Sequence, residues 1–442
     1  MTTAERTRRK VAARILPFFL LLYIVSYIDR ANVSFAKLTM SADLHFSEAV
    51  FGFGAGIFFV GYFLLEIPGA LIVERWSARL WICRILVTWG ICTVFVGLVH
   101  SASQFYWTRF FLGLAEAGFF PGVLIYMTHW FRERDRARAM AGFIVAVPLS
   151  FLIGAPLSAA CLSVHWLGLP GWRWLFILQG LPAVALGIVT PFYLTDHPKD
   201  AGWLAPGERD LLTEELQRER QARRARGHTH ALKAFLQPQV LRLATALFLI
   251  VLASYGYLFW LPSTIKKASG LSVISSTLLS GLPFVLAAVA VVLMGRSSDR
   301  TGERRWHAAL PLLFAGGAFA LVAIPGQPFI LTMLWLCLTG AALWAWTPAY
   351  WVIPTLLLGE SAAAVSIGLI NCVGNLGGFF GPWMVGYLLA SHHSYSLAIV
   401  ILSFAFAMGS LLVMSIRVPG QRLSGDADAR RNASQVAPIS RA

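Results

Sequence analysis

An apolar run long enough to cross a bilayer recurs twelve times in this chain, and this repetition constrains the fold more than any other feature. A helix needs about 20 apolar residues to cross the hydrocarbon. Within a bilayer only helices and closed barrels satisfy their own backbone groups, and runs this long read as helices. They fall at 15–35, 50–73, 81–100, 104–128, 139–162, 173–194, 240–261, 273–294, 307–325, 329–350, 362–389 and 395–416. The expected fold is an all-α membrane protein with twelve transmembrane helices. Of the 442 residues 57% are hydrophobic and 13% charged, whereas soluble domains carry about 25% charged residues.

The charges that remain are ordered. The net charge of +15 does not imply nucleic acid, because the basic residues stand in short blocks between apolar runs. Arg6, Arg8, Arg9, Lys10 and Arg14 precede the first run; Arg75, Arg79 and Arg84 follow the second; Arg132, Arg134, Arg136 and Arg138 follow the fourth. Arg296, Arg300, Arg304 and Arg305 follow the eighth, and the alternate loops hold only Lys37, Arg173, Lys266 and Lys267. The positive-inside bias puts both termini in the cytoplasm. The first run has no small-residue cleavage site after it and reads as a retained helix. Five cysteines lie in or beside apolar runs without metal-ligand spacing, so no metal, cofactor or disulfide framework is implied.

One long polar segment, 196–239, divides the runs six and six. The expected organisation is a cytoplasmic tail at 1–14, one bundle at 15–195, the linker at 196–239 with a helix near Glu208–Arg226, a second bundle at 240–417, and a disordered tail at 418–442. A motif repeats across this division. Gly69-x4-Glu74-Arg75-x-Ser77-x-Arg79 follows the second run, and Gly295-x3-Asp299-Arg300-x-Gly302-x-Arg304-Arg305 follows the eighth. An acidic–basic pair and a glycine turn can latch adjacent helix ends. Recurrence at matching places in two halves is the mark of a transporter built from repeats.

Charge inside the runs marks the candidate site, because ionisable groups are costly in hydrocarbon. Helical spacing puts Tyr23, Tyr27, Arg30 and Ser34 on one stripe of the first run. Asp29 lies about 100° round the same helix and is expected to face a neighbour. Arg109 and Glu116 are separated by two turns of the fourth run, about 10 Å on one face. Arg30 and Arg109 keep their charge at any working pH, so they need anions. Arg30 is a candidate hook for a substrate carboxylate, which a guanidinium grips through two N–H groups. Desolvation disfavours a charged carboxylate, and Glu116 is the candidate to exchange a proton. A static network of Asp29, Arg30, Arg109 and Glu116 that only joins two helices is the alternative. Glu66, one turn beyond Tyr62, is either a second protonatable group or a partner of Arg109 or a loop arginine.

The later runs hold no charged residue in their interiors. They offer Tyr255, Tyr257 and Trp260; Trp344, Trp346 and Tyr350; and Asn371 with Asn375 one turn on. Tyr255 and Trp346 are the aromatic candidates for substrate contact. The asparagines are stronger ones, since a lipid-facing amide lacks partners. Glycine patterns such as Gly52-x-Gly54-x-Gly56 and Gly118-x3-Gly122 lie inside runs and read as helix-packing glycines, not phosphate loops. No Walker sequence and no catalytic constellation is present, so ATP drive and enzyme chemistry are not expected.

These residues resemble the major facilitator superfamily over about 14–417, and more narrowly its anion:cation symporter branch. The resemblance is carried by Tyr27-Ile-Asp29-Arg30-Ala-Asn32, Gly61-Tyr62-Phe-Leu-Leu-Glu66-Ile-Pro68, Arg109-Phe-Phe-Leu-Gly113-Leu-Ala-Glu116-Ala-Gly118-Phe-Phe-Pro121-Gly122, Gly171-Trp172-Arg173-Trp174, Tyr193-Leu-Thr-Asp196-His-Pro198 and Gly368-Leu-Ile-Asn371-x2-Gly374-Asn375-Leu-Gly377-Gly378. It implies two six-helix bundles, substrate binding at Arg30 and proton coupling at Glu116. The implied activity is uptake of an organic carboxylate (tartrate-like, sugar acid or aromatic acid) by proton symport, by a monomer in a bacterial inner membrane. Glu74 and Ser77 replace the branch's usual Asp and Gly, which is expected to loosen the first latch; Gln179 stands where Glu is common. An exporter or antiporter on the same scaffold is the second reading, although Gly154-Ala-Pro156 lacks the exchanger signature. A nutrient receptor without flux is the third.

Overall fold

The computed structural model describes residues 2–225, 237–358 and 360–416. The long apolar runs form α1 (Thr3–Asp43), α2 (Glu48–Arg75), α3 (Ala78–Val96), α4 (Ala102–Glu116), α5 (Phe119–Trp130), α6 (Glu133–Leu162) and α7 (Gly171–Tyr193). The linker helix α8 (Pro206–Ala225) follows. Beyond it lie α9 (Pro238–Ser269), α10 (Val273–Leu279), α11 (Leu282–Thr301), α12 (Arg305–Val322), α13 (Phe329–Ala345), α14 (Thr347–Tyr350), α15 (Ile353–Leu357), α16 (Glu360–His392) and α17 (Tyr395–Met414). Among the described residues ten stretches are long and apolar enough to cross a membrane. The 30-residue α6 and 33-residue α16 fill the fifth and eleventh places. The chain is thus a multi-pass membrane protein with the twelve-helix architecture that the run spacing predicts.

Three crossings are not single helices. The fourth is α4 and α5, broken where Gly118 adopts φ +84°. The eighth is α10 and α11, and the tenth is α13 followed by the short α14 and α15. Several helices start on a serine whose side chain accepts a backbone N–H of the first turn: Ser47, Ser77, Ser101, Ser272 and Ser394. Such caps satisfy donors that a helix start leaves open.

The packing repeats as the sequence does. In the first half α3 packs on α7, α2 on α4, and α1 on both α6 and α7; in the second α12 packs on α17, α11 on α13, and α9 on both α16 and α17. The halves meet through α2 with α16 and α6 with α11, two pairings that exchange under the repeat. Glycines let these backbones close. A Cβ on Gly52 would lie 2.9 Å from the Gly386 Cα and collide with the Pro382 carbonyl.

The face where α1 ends and α2 begins is tied across the halves. Lys37, 3% exposed, pairs with Glu48 at 2.9 Å and donates to Ser263 Oγ at 3.2 Å. The Trp260 indole N–H donates to Glu48 at 2.9 Å. The opposite, basic face carries α8, fixed by Arg8–Glu215 and Lys10–Glu208, both 2.9 Å, and by Trp203 stacked on Trp130.

The repeated motifs take different forms there. The side chains of Glu74 and Arg75 and the tail at 418–442 lie outside the described residues. Ser77 donates its hydroxyl to Asp196 at 2.6 Å while capping α3, and Arg79 pairs with Asp196 at 3.3 Å. In the second copy Asp299 pairs with Arg304 at 2.7 Å, not with its neighbour Arg300, which is exposed. Gly302 supplies the turn with φ +68°. Beside it Glu303 is held below its ordinary range: burial pushes it up, but the backbone N–H groups of Trp306 and His307 and the His307 ring outweigh that.

Candidate functional site

The charged residues of the first half converge in the middle of the bundle. Glu116 is the last residue of α4 and fully buried, because the left-handed Gly118 ends the helix just after it. The last turn of a helix favours a cation nearby, and Arg30 of α1 supplies one. Arg30 Nε donates to Glu116 Oε1 at 2.6 Å, and Ser26 Oγ donates to the same oxygen at 3.0 Å. Glu116 Oε2 has no hydrogen-bond partner among the described residues. Aromatic rings surround the guanidinium, with Tyr62 at 5.0 Å, Tyr27 at 5.3 Å and Phe58 at 5.7 Å. Tyr255 reaches in from the other half through Phe59, 4.4 Å away, and lies within electrostatic range of Arg30.

Asp29 points the other way, to α3. It accepts from the Trp89 indole at 2.6 Å, Thr93 at 2.9 Å and Asn32 at 2.8 Å. Arg109 is 1% exposed, lies 4.9 Å from the Phe58 ring centre and donates to the Ala55 carbonyl at 3.4 Å. Its influence on Asp29 and Glu116 is through space. The four charges are therefore one ion pair, Arg30–Glu116, beside a carboxylate satisfied by neutral donors and a nearby cation.

Glu66 meets neither Arg109 nor a loop arginine. It accepts from the side-chain amides of Asn371 and, at 3.3 Å, Asn375, both on α16 of the opposite half. The two asparagines thus face the interior one turn apart. Trp346 lies apart from these residues. Its indole donates back to the Leu343 carbonyl and its ring packs on Tyr350, so it is buried inside its own half. Tyr257 and Tyr350 likewise spend their hydroxyls on the Leu336 and Leu243 carbonyls. The tenth-crossing ring at the junction of the halves is Trp344, 6.2 Å from Phe151, which is itself 6.3 Å from Tyr27. Gln179 donates to Ser158 within the first half.

Sequence reasoning missed Ser26, Phe58, Trp89 and Thr93. The spacing held the signal: Ser26 is one turn before Arg30, Phe58–Tyr62–Glu66 is a four-residue stripe, and Trp89 and Thr93 are one turn apart.

Two repeated helical halves closed over a buried cluster of charges are the architecture of a multi-pass membrane transporter. The model of the Major Facilitator Superfamily matches residues 19–382, and the chain belongs to that family. It is 41% identical over 442 residues to a protein of Agrobacterium vitis named "Putative tartrate transporter", covering 98% of each chain. It is 37% identical over 407 residues to a quinolone resistance transporter of Acinetobacter baumannii, covering 91% of this chain and 93% of that one. Among solved structures it shares its fold with a bacterial homolog of the human lysosomal transporter Spinster in an inward-facing, unoccupied conformation, with TM-score 0.73, 18% identity, and coverage of 92% and 97% of the two chains.

Proposed function

We propose that this protein imports an organic carboxylate by proton symport, rocking the bundles 15–195 and 240–417 about a midplane site while the 196–239 linker joins them. Both termini lie in the cytoplasm of a bacterial cell and the protein sits in the inner membrane, in keeping with the basic blocks. The observation that carries the reading is the buried Arg30–Glu116 pair, 2.6 Å long, with the second Glu116 oxygen unpartnered among the described residues. An arginine so placed is occupied by the protein's own carboxylate when the site is empty. A proton on Glu116 weakens that pair and frees the guanidinium for a substrate carboxylate. Proton and anion then travel together, and loss of the proton on the inner side restores the pair and expels the anion. Tyr27, Tyr62 and Tyr255 surround the anion with rings and hydroxyls; Asn371 and Asn375 supply amide contacts from the other bundle. Asp29 and Arg109 set the field around the pair. The relative named for tartrate favours a hydroxylated acid.

The test is a thermal-shift screen of the purified protein with tartrate, galactonate, glucuronate and phthalate, each beside a neutral amide analogue, in acidic and alkaline buffer. A ligand that binds only the native state raises stability by RT ln(1 + [L]/Kd). A shift with one acid, absent with its amide and lost in Arg30→Ala, supports the reading; shifts with neutral or cationic compounds alone sink it. Export is the second reading, favoured by the resemblance to the quinolone resistance transporter. Net ligand transport in proteoliposomes under an imposed pH gradient separates the two by the direction in which the gradient drives the ligand.

A further inference from the structure

Glu66 is a carboxylate beside an arginine-centred anion site, and its two oxygens are taken by amides, not by cations. It is 5% exposed. Asn371 and Asn375 each give it one N–H and keep a second N–H and a carbonyl for other partners. Tyr62 lies one turn away on the same helix, and its ring is 5.0 Å from the Arg30 guanidinium. Four residues of helix rise about 6 Å, close to the distance between the outer oxygens of an extended four-carbon acid, three C–C bonds of roughly 1.5 Å with a C–O bond of about 1.2 Å at each end. A ligand with one carboxylate on Arg30 therefore extends its other end toward Glu66. The charged and titratable groups facing Glu66 are Arg30 from α1, Tyr62 from α2 and Cys372 from α16.

An ionised carboxylate accepts hydrogen bonds from hydroxyl groups and repels a second carboxylate, strongly so where water is excluded. We propose that Glu66, framed by Asn371 and Asn375, is the specificity-determining group of the site: it selects hydroxylated acids whose end remote from Arg30 bears no second negative charge. This rests on the reading of Arg30 as the anion hook. A hydroxyl on the remote end donates to Glu66 in place of an asparagine amide, and the freed amide turns to the same ligand. A dicarboxylate enters only with a proton on its second carboxyl or on Glu66, so it takes up one proton more than a monocarboxylate does.

The test titrates the full-length protein at mildly alkaline pH with three probes: tartrate, the mono-amide of tartrate, and succinamate, which has the same ends without hydroxyls. The wild type is expected to bind the tartrate mono-amide at least about tenfold more tightly than either other probe. Glu66→Gln removes the charge and keeps a carbonyl acceptor; it should bring tartrate to within about threefold of its mono-amide while still preferring both to succinamate. Glu66→Ala should lose that preference too. Wild-type protein that binds the tartrate dianion as tightly as the mono-amide overturns the proposal whether or not any variant folds, as does a Glu66→Gln variant with unchanged selectivity. Arg30→Ala keeps the two readings apart. Mono-amide binding that survives it overturns the hook itself. Binding lost in Arg30→Ala, with selectivity untouched by Glu66→Gln, overturns only the assignment of Glu66. Failure of all three probes also overturns that assignment, and an Arg30-dependent shift with phthalate in the same series would leave carboxylate transport standing.

Discussion

Arg30 and Glu116 form a structural contact that the proposed cycle also uses. The pair satisfies two charges that hydrocarbon would not tolerate singly, yet among the described residues one Glu116 oxygen has no partner, so the pair is not saturated. Glu116→Gln keeps the shape and removes the charge. Proteoliposomes carrying it are expected to retain ligand counterflow, which needs no net proton movement, and to lose accumulation driven by a pH gradient. Normal pH-driven accumulation in that variant would remove Glu116 from the coupling scheme. Asp29 behaves differently, because Trp89, Thr93 and Asn32 already satisfy it. Trp89→Phe leaves a buried carboxylate short of a donor, which costs about 1–3 kcal/mol. A lowered melting temperature with unchanged ligand selectivity is the expected result; altered selectivity would place Asp29 in the binding machinery.

At the scale of the helix, the apolar runs were legible and the breaks within them were not. Run length alone located the twelve crossings, because the bilayer thickness leaves little freedom. Gly118 illustrates the limit. In the sequence it is one of several small residues inside a run, indistinguishable from glycines that only admit a neighbouring helix. In the fold its φ of +84° stops α4 at Glu116 and starts α5. Periodicity reports which face a residue takes, not which glycine leaves the helical region. Glu66 is the other case. Its partners are on α16, more than 300 residues away in sequence, and no spacing rule joins them, whereas Ser26 and Phe58 lay one turn from residues already singled out. Gly118→Ala has room for its methyl, which would meet Trp81 Nε1 at 3.4 Å. Its penalty is therefore conformational, about 1–2 kcal/mol for a left-handed non-glycine residue. The expected outcome is a lower melting temperature together with weakened ligand binding, since Glu116 would lose its position. Unchanged binding would show that the break is not what places the carboxylate.

Across the whole molecule, the pairings α2–α16 and α6–α11 make each half the mirror of the other's task. Where α2 begins, the polar ties across the halves are those of Lys37, Glu48, Trp260 and Ser263, beside the Phe51–Trp260 ring contact. Glu48→Gln weakens two of them at once. A cysteine at position 263, buried in the wild type, should then react with a membrane-impermeant maleimide about tenfold faster, the equivalent of about 1.4 kcal/mol in the balance between closed and open forms. No change in labelling would mean that these contacts do not hold that face shut. Beneath them Gly52 and Gly386 meet backbone to backbone with no space for a side chain. Two absent side chains thereby act as insulation. A membrane that stores energy as an ion gradient loses it along any continuous thread of water, and a methyl group at either glycine would prop the seam open wide enough to admit one. In the proposed cycle, such a glycine seam would let cargo leave on one side without a short circuit to the other.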